Sequence, residues 1–302
     1  MSIKILVTGS NGLLGQKLTD MLVANTAYEL IASSKGKNRH PITSGYIYEE
    51  LDVCEYADLE RVISKHKPHA IIHTAAMTNV DQCESEKEAC IKLNLRSVEH
   101  LAKLAEQYPF YLVHLSTDFV FDGEAGPYTE SDMPKPLSYY GHSKLDAEKV
   151  LLASNIGYSI LRTIIVYGVA ADMSRTNIVL WAKGALEKGN PIKVVNDQYR
   201  MPTLAEDLAQ ACILAIEKKA QGIYHISGKD YMSVIEMVKR IAAFFKLDDS
   251  IIEETDSSTL NQAAKRPPRT GFVLDKAINE LDYAPHSFEE GLAIVQKQLE
   301  DK

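Results

Sequence analysis

The run Thr8-Gly9-Ser10-Asn11-Gly12-Leu13-Leu14-Gly15 stands directly after the β-branched, apolar segment Ile3 to Thr8 and opens an apolar-periodic stretch from Leu13 to Ala24. A strand that turns into a helix within so few residues needs glycines at set places, and this G-x-x-G-x-x-G spacing supplies them. Gly9 permits the tight turn, Gly12 lets backbone approach a pyrophosphate, and Gly15 lets the helix pack closely on the strand. Asn11, Leu13 and Leu14 complete the turn, whose free amides face an anionic group. A glycine run could equally be an ordinary tight turn, so its meaning depends on the rest of the chain.

Beyond the turn, strand and helix patterns alternate. Glu29 to Ser33, Ala70 to Thr74, Phe110 to Ser116 and Tyr158 to Arg162 read as further strands, and Tyr56 to Lys65, Glu84 to Gln107 and Tyr139 to Ser154 as further helices. Repeated strand-helix order predicts an α/β fold with a doubly wound parallel sheet, a Rossmann architecture that binds ligands at the carboxyl ends of its strands. The unusual residues collect at those ends: Gly9, Ser33, Thr74-Ala75-Ala76, Ser116-Thr117 and Arg162-Thr163. After Gly168 the alternation loosens, with helices expected at 177–188 and 205–217 and strands at 193–195 and 223–227. Beyond these come helices near 234–245 and 288–299 and a polar loop at 256–270. We expect residues 1–168 to form the dinucleotide-binding domain, with 193–222 returning to it, and 169–192 and 223–302 to form a smaller substrate lobe.

Length and charge narrow the class. A chain of 302 residues has ample core material, and a net charge of −8 without a basic run excludes a nucleic-acid surface. No apolar run is long enough for a membrane span, and the first apolar segment is too short for a signal peptide, so a cytoplasmic location is expected. Cys54, Cys83, Cys90 and Cys212 lack metal spacing and read as reduced structural thiols.

The end of the second strand indicates which dinucleotide binds. An acid there would hold the ribose hydroxyls of NAD, whereas Ser33, Ser34, Lys35, Lys37 and Arg39 leave room and charge for a 2'-phosphate. NADP(H) is therefore expected over NAD(H), which stays the alternative. The competing reading of Lys35 to His40 is a solvated loop. Asp52 and Val53 could contact the adenine, or Asp52 could cap the next helix.

Tyr140 and Lys144 are four apart, so in a helix they share one face. An ammonium beside a phenol lowers its pKa and makes it a usable acid and base. Ser116-Thr117-Asp118 lies upstream to polarise a carbonyl. The spacing alone also describes any solvated helix face.

Taken together, the Thr8 to Gly15 turn, Ser116-Thr117-Asp118-Phe119-Val120-Phe121, Tyr140 to Lys144 and Leu161-Arg162-Thr163 with Val166-Tyr167-Gly168 resemble the extended short-chain dehydrogenases/reductases. Within these, the dTDP-4-dehydrorhamnose reductases are similar through Ala75-Ala76-Met77-Thr78-Asn79-Val80-Asp81, Asn196-Asp197-Gln198 with Pro202-Thr203, and Arg266-Pro267 with Leu274 to Lys276. The resemblance implies a catalytic trio of Thr117, Tyr140 and Lys144, with Ser116 as a substitute for Thr117. Lys144 would also hold the nicotinamide ribose. It implies that Thr74, Ala75, Ala76, Asn94, Ser116, Arg162 and Val166 line the cofactor, and that Met77, Asp81, Asp118 and Phe119 face the sugar. Asn94 could instead be a plain helix asparagine. Arg200, Arg266 and Arg269 are candidates for the nucleotide diphosphate, or else surface ion-pair partners. Tyr139, with Ser143 four residues on, is a decoy.

Two departures concern the sugar. Ile164-Ile165 stands where the family usually carries a tryptophan, and Arg200-Met201 precedes Pro202. The family's paired metal-binding acids find no match, so no catalytic metal is expected. The expected function is reduction of the C4 ketone of a nucleotide-linked 6-deoxy-4-keto sugar. The alternatives are an epimerase or dehydratase with retained NAD and a non-catalytic NADP-binding regulatory subunit. A homodimer is the expected assembly should there be one.

Overall fold

The structure, a computed structural model, describes residues 2–172, 176–260 and 262–301. Residues 173–175 of the expected lobe and Asn261 of the expected 256–270 loop lie outside them.

Strand β1 (Ile3–Thr8) passes through the glycine turn into α1 (Leu13–Val23), followed by β2 (Tyr28–Ser34), β3 (Ile47–Glu50), α2 (Tyr56–His66) and β4 (Ala70–His73). The helix expected from Glu84 to Gln107 is divided into α3 (Val80–Ser85), α4 (Lys87–Ile91), a π-helical turn over Lys92–Arg96 and α5 (Ser97–Gln107). Asn79 caps the first piece by accepting from the Gln82 amide, and Glu86 leaves helical geometry at φ −115°, ψ 54°. Next come β5 (Tyr111–Thr117), α6 (Tyr139–Leu152), β6 (Tyr158–Thr163), β7 (Val166–Tyr167), α7 (Ile178–Glu187) and β8 (Ile192–Val195). The chain continues through β9 (Tyr199–Arg200), β10 (Thr203–Leu204), α8 (Ala205–Glu217), β11 (Gly222–Ile226), β12 (Met232–Ser233) and α9 (Val234–Phe245). It ends with β13 (Ile252–Thr255), α10 (Asp275–Leu281) and α11 (Phe288–Glu300).

Seven strands form one parallel sheet in the order β3-β2-β1-β4-β5-β6-β11. Its strands are apolar on both faces, as burial under two helical layers requires. Alternation along β1 sends Ile5 and Val7 to the core under α1, α8 and α10, with Leu18, Leu208 and Leu281. It sends Leu6 to the opposite core under α2, α5 and α6, with Leu59, Leu101 and Leu151. The order reverses at β1, whose last residue Thr8 pairs with Ser33 on one side and His73 on the other. This switch point opens the crevice where such sheets take ligands.

A third core joins α7, α9, α11 and β8 through Val179, Ile192, Ile241 and Leu292. The segments that return to the sheet differ from those expected. Strand β8 pairs with β13 beside this third core, whereas β11 pairs with β6 as the seventh strand. The return runs through α8, because its apolar face of Leu208, Ala209 and Cys212 is buried in the same core as Leu18 and Leu22 of α1.

Candidate active site

The glycine turn is a cradle closed by backbone. Gly9 has φ +73°, and a Cβ there would lie 2.8 Å from the Ala75 amide nitrogen; one on Gly15 would lie 2.4 Å from the Gly9 carbonyl oxygen. Gly12 precedes α1 in extended geometry with no side-chain cap and no acid in the first turn. The first amides of α1 are therefore free of an internal anion, which fits a pyrophosphate.

Asn11 ties this turn to the chain after β2: its Nδ2 donates to the Lys37 carbonyl and its Oδ1 accepts from the Arg39 amide, each at 2.9 Å. Ser33 is buried, with its hydroxyl on the Val7 carbonyl at 3.1 Å. Lys35 is exposed and lies 2.8 Å from Asp52 Oδ2. The other Asp52 oxygen accepts from the Cys54 amide at 3.0 Å, so it closes a local turn instead of capping α2, which Glu55 precedes. Val53 is buried in the core beneath.

At the end of β4, Thr74 donates to the Thr8 carbonyl at 2.7 Å, which brings Ala75 against Gly9. Asn94, buried in the π-helical turn, accepts from the Met77 amide at 2.8 Å and donates to its carbonyl and to Ser143 Oγ, each at 3.1 Å. It thus fastens the 75–77 loop to α6, and these tertiary bonds coincide with the break in helical pitch.

Ser138 caps α6 by accepting from the Gly141 amide at 3.2 Å, which starts the helix just ahead of Tyr140. Tyr140 and Lys144 are both buried. The Tyr140 ring meets Phe119 edge-on at 5.9 Å between centroids. Burial pushes its phenol well above the usual range, while a hydrogen bond with Thr117 acts in the opposite direction. The lowered phenol expected from the sequence is therefore not found: desolvation dominates, and Tyr140 holds its proton. Burial lowers Lys144 to about 8, with Glu148 and Cys90 opposing the drop. Its Nζ lies 3.3 Å from His114 Nε2. Thr117 donates to Asp118 Oδ1 at 3.1 Å and accepts from the Phe119 amide at 3.2 Å. Burial raises Asp118, against the pull of Arg200 and a hydrogen bond from Thr270.

Other expected contacts have partners of their own. Ser116 and Arg162 both bond Glu148 beneath α6, Arg162 through Nε at 3.0 Å and Nη2 at 2.7 Å. Val166 pairs with Thr203 of β10. Arg200 is buried, and its guanidinium donates to the carbonyls of Tyr199 at 2.7 Å, Pro267 at 2.8 Å and Pro268 at 3.1 Å. Arg266 and Asp81 pair with each other, Nη2 to Oδ2 at 2.6 Å. Arg269 lies over the Tyr199 ring. Met77, Phe119 and Tyr139 pack around Tyr140, Cys83 and Cys90. Ile165 holds φ +31°, a strained setting for a β-branched residue.

His114, His73, Ser143 and Glu148 were not anticipated. Alternation along β5 carries a signal for two of these contacts, since His114 and Ser116 share a face with core residue Leu112 and meet α6.

The sequence pattern of the RmlD substrate binding domain family matches residues 3–300. The chain is 33% identical to methionine adenosyltransferase 2 subunit beta of Xenopus laevis, over 82% of this chain and 73% of that protein. It is 31% identical to dTDP-4-dehydrorhamnose reductase of Aggregatibacter actinomycetemcomitans, over 98% of this chain and 99% of the other. The crystal structure of dTDP-4-dehydrorhamnose reductase of Bacillus anthracis in complex with NADP superposes with a TM-score of 0.85 at 27% identity, covering 99% of this chain and all of that one. By its match over nearly the whole length, and with a fold that agrees, the chain belongs to the RmlD substrate binding domain family.

Proposed function

We propose that the protein reduces the C4 ketone of a nucleotide-linked 6-deoxy-4-keto sugar with NADPH, as a dTDP-4-dehydrorhamnose reductase does. The observation that supports this reading most is the Thr117 side chain at the end of β5 bonding with Tyr140, from which Lys144 stands one turn along α6. The cradle residues Gly9, Gly12 and Gly15 would hold the pyrophosphate, with Lys35, Lys37 and Arg39 beside the adenosine ribose. NADPH, when bound, supplies the hydride. Thr117 polarises the ketone oxygen, and Tyr140, protonated in the free protein, gives that oxygen its proton as charge develops. Lys144 faces the same side of α6 and compensates the phenolate left behind. A cytoplasmic location accords with Cys54, Cys83, Cys90 and Cys212, which form no disulfide among the described residues. The division into a large cofactor domain and a smaller substrate lobe belongs to the same reading.

The test is NADPH oxidation with a panel of dTDP-, UDP- and GDP-linked 4-keto sugars. Turnover with a 6-deoxy-4-keto hexose is expected, and no turnover with any of them overturns the reading. The likeness to methionine adenosyltransferase 2 subunit beta favours a second reading, a non-catalytic subunit. That reading gains if NADPH binds, no keto sugar reacts, and an adenosyltransferase catalytic chain co-elutes with the protein.

A further inference from the structure

Among the described residues no carboxylate forms an ion pair with Lys144. Its nearest polar partner is His114 on β5, with Nζ 3.3 Å from Nε2 in the interior. Accepting at Nε2 puts the ring's single proton on Nδ1, and that nitrogen is buried with no hydrogen-bond partner among the described residues. A ring held there for stability alone would direct Nδ1–H at an acceptor, because buried donors are nearly always paired. The fold leaves the donor orphaned and keeps the Nε2 lone pair on the lysine. His73 of β4 lies beneath, stacked on His114 with centroids 5.9 Å apart and planes at 19°. Thr8 Oγ1 at 2.8 Å and Ser97 Oγ at 3.2 Å hold His73 at its two nitrogens. Burial first, and the Lys144 charge second, keep both imidazoles neutral, His73 down at about 3 and His114 well below its usual range.

We propose that His114 is a positioning residue for Lys144, a neutral acceptor that fixes the ammonium without cancelling the positive field it directs at Tyr140 and a bound dinucleotide. A carboxylate in this place would hold the ammonium harder but offset its charge. An apolar side chain would leave it unanchored and easier to deprotonate. The titratable and charged groups around Lys144 are His114 on β5, His73 on β4, Glu148 one turn along α6 and Cys90 on α4. Glu148 is already committed to Arg162 of β6. The catalytic consequence rests on the reductase reading; the anchoring does not.

The experiment compares His114→Leu, His114→Gln and His114→Glu with the native protein by NADPH fluorescence titration from neutral to alkaline pH, alongside turnover. Binding weakens as Lys144 loses its proton, so the midpoint reports the lysine without chemistry. Loss of the acceptor in His114→Leu moves the midpoint down by about one pH unit, as expected for a lost hydrogen bond to a charged group. His114→Gln returns it toward the native value. His114→Glu moves it up and lowers kcat at neutral pH by roughly tenfold, a field effect of about one pKa unit in size. A midpoint unchanged across Leu, Gln and Glu overturns the proposal. Should His114→Leu not fold, the Glu variant decides, since an unshifted or lowered midpoint there overturns it as well. An ordered shift with no sugar turned over sustains the anchoring and removes the reductase reading, whereas full turnover with unshifted midpoints does the reverse.

Discussion

Arg162 of β6 and Glu148 of α6 form a fork-to-fork pair in the interior, their side chains 2% and 0% exposed. The pair joins the sheet to the same face of the helix that carries Tyr140 and Lys144, one turn beyond the lysine. Arg162→Ala leaves a buried carboxylate without a counter-charge, and about 3–5 kcal/mol of stability is expected to be lost. Urea unfolding measures this. A loss below about 1 kcal/mol, the scale of a surface pair, would contradict the pairing.

Tyr140→Phe removes the proton donor and keeps the ring against Phe119. We expect kcat to fall by about 10²-fold or more, with NADPH affinity nearly unchanged. Steady-state rates together with cofactor titration separate the two, and native-like turnover would take Tyr140 out of the mechanism.

Lys144 carries an energetic cost with a definite pH window. Its folded value, about 8, lies below the ordinary 10.5. Between those values the unfolded chain binds more protons, so stability rises with pH through that window, and the full penalty is present below it. A depression of this size corresponds to about 3 kcal/mol. Lys144→Met is therefore expected to be more stable at pH 7 by up to roughly that amount, and inactive. Thermal unfolding at neutral and alkaline pH checks it: the advantage of the variant should shrink as pH rises.

Gly15→Ala places a methyl 2.4 Å from the Gly9 carbonyl oxygen, which is backbone and has little room to yield. The expected result is a stability loss of about 1–3 kcal/mol, as for an overpacked site. Cofactor titration of the folded variant should show NADPH affinity weakened more strongly than affinity for a nucleotide sugar.

Lys37 and Arg39 are held beside the cradle by Asn11. Lys37→Gln with Arg39→Gln should weaken NADPH binding by about tenfold, the value of a charge-assisted hydrogen bond or two to a 2'-phosphate, and leave NADH unaffected. Equal loss for both dinucleotides would argue for a solvated loop.

The parts of this architecture that depend on local periodicity were readable in advance. The bounds of β1, α8 and α9 follow from alternation or helical repeat alone, and the glycine spacing describes a turn that backbone geometry demands. What escaped depends on distant partners. The 84–107 helix breaks where Asn94 reaches Met77, a contact seventeen residues back that no repeat encodes. The ties of Arg200 to the carbonyls of Tyr199, Pro267 and Pro268 likewise span loops that no repeat connects, whereas the Arg266–Asp81 pair agrees with the ion-pair alternative. Helix α10 is short and comes after a loop bearing two prolines, so its seven residues gave too little repeat to be seen.

The seventh strand has a consequence for how such a chain comes into being. Because β11 lies more than fifty residues beyond β6 and seals its open edge, a nascent chain emerging from the ribosome exposes that edge until the segment after α8 has been made. The six strands made before it therefore cannot mature ahead of the rest, and a cut near residue 168 would release a fragment with an unpaired, apolar strand prone to self-association.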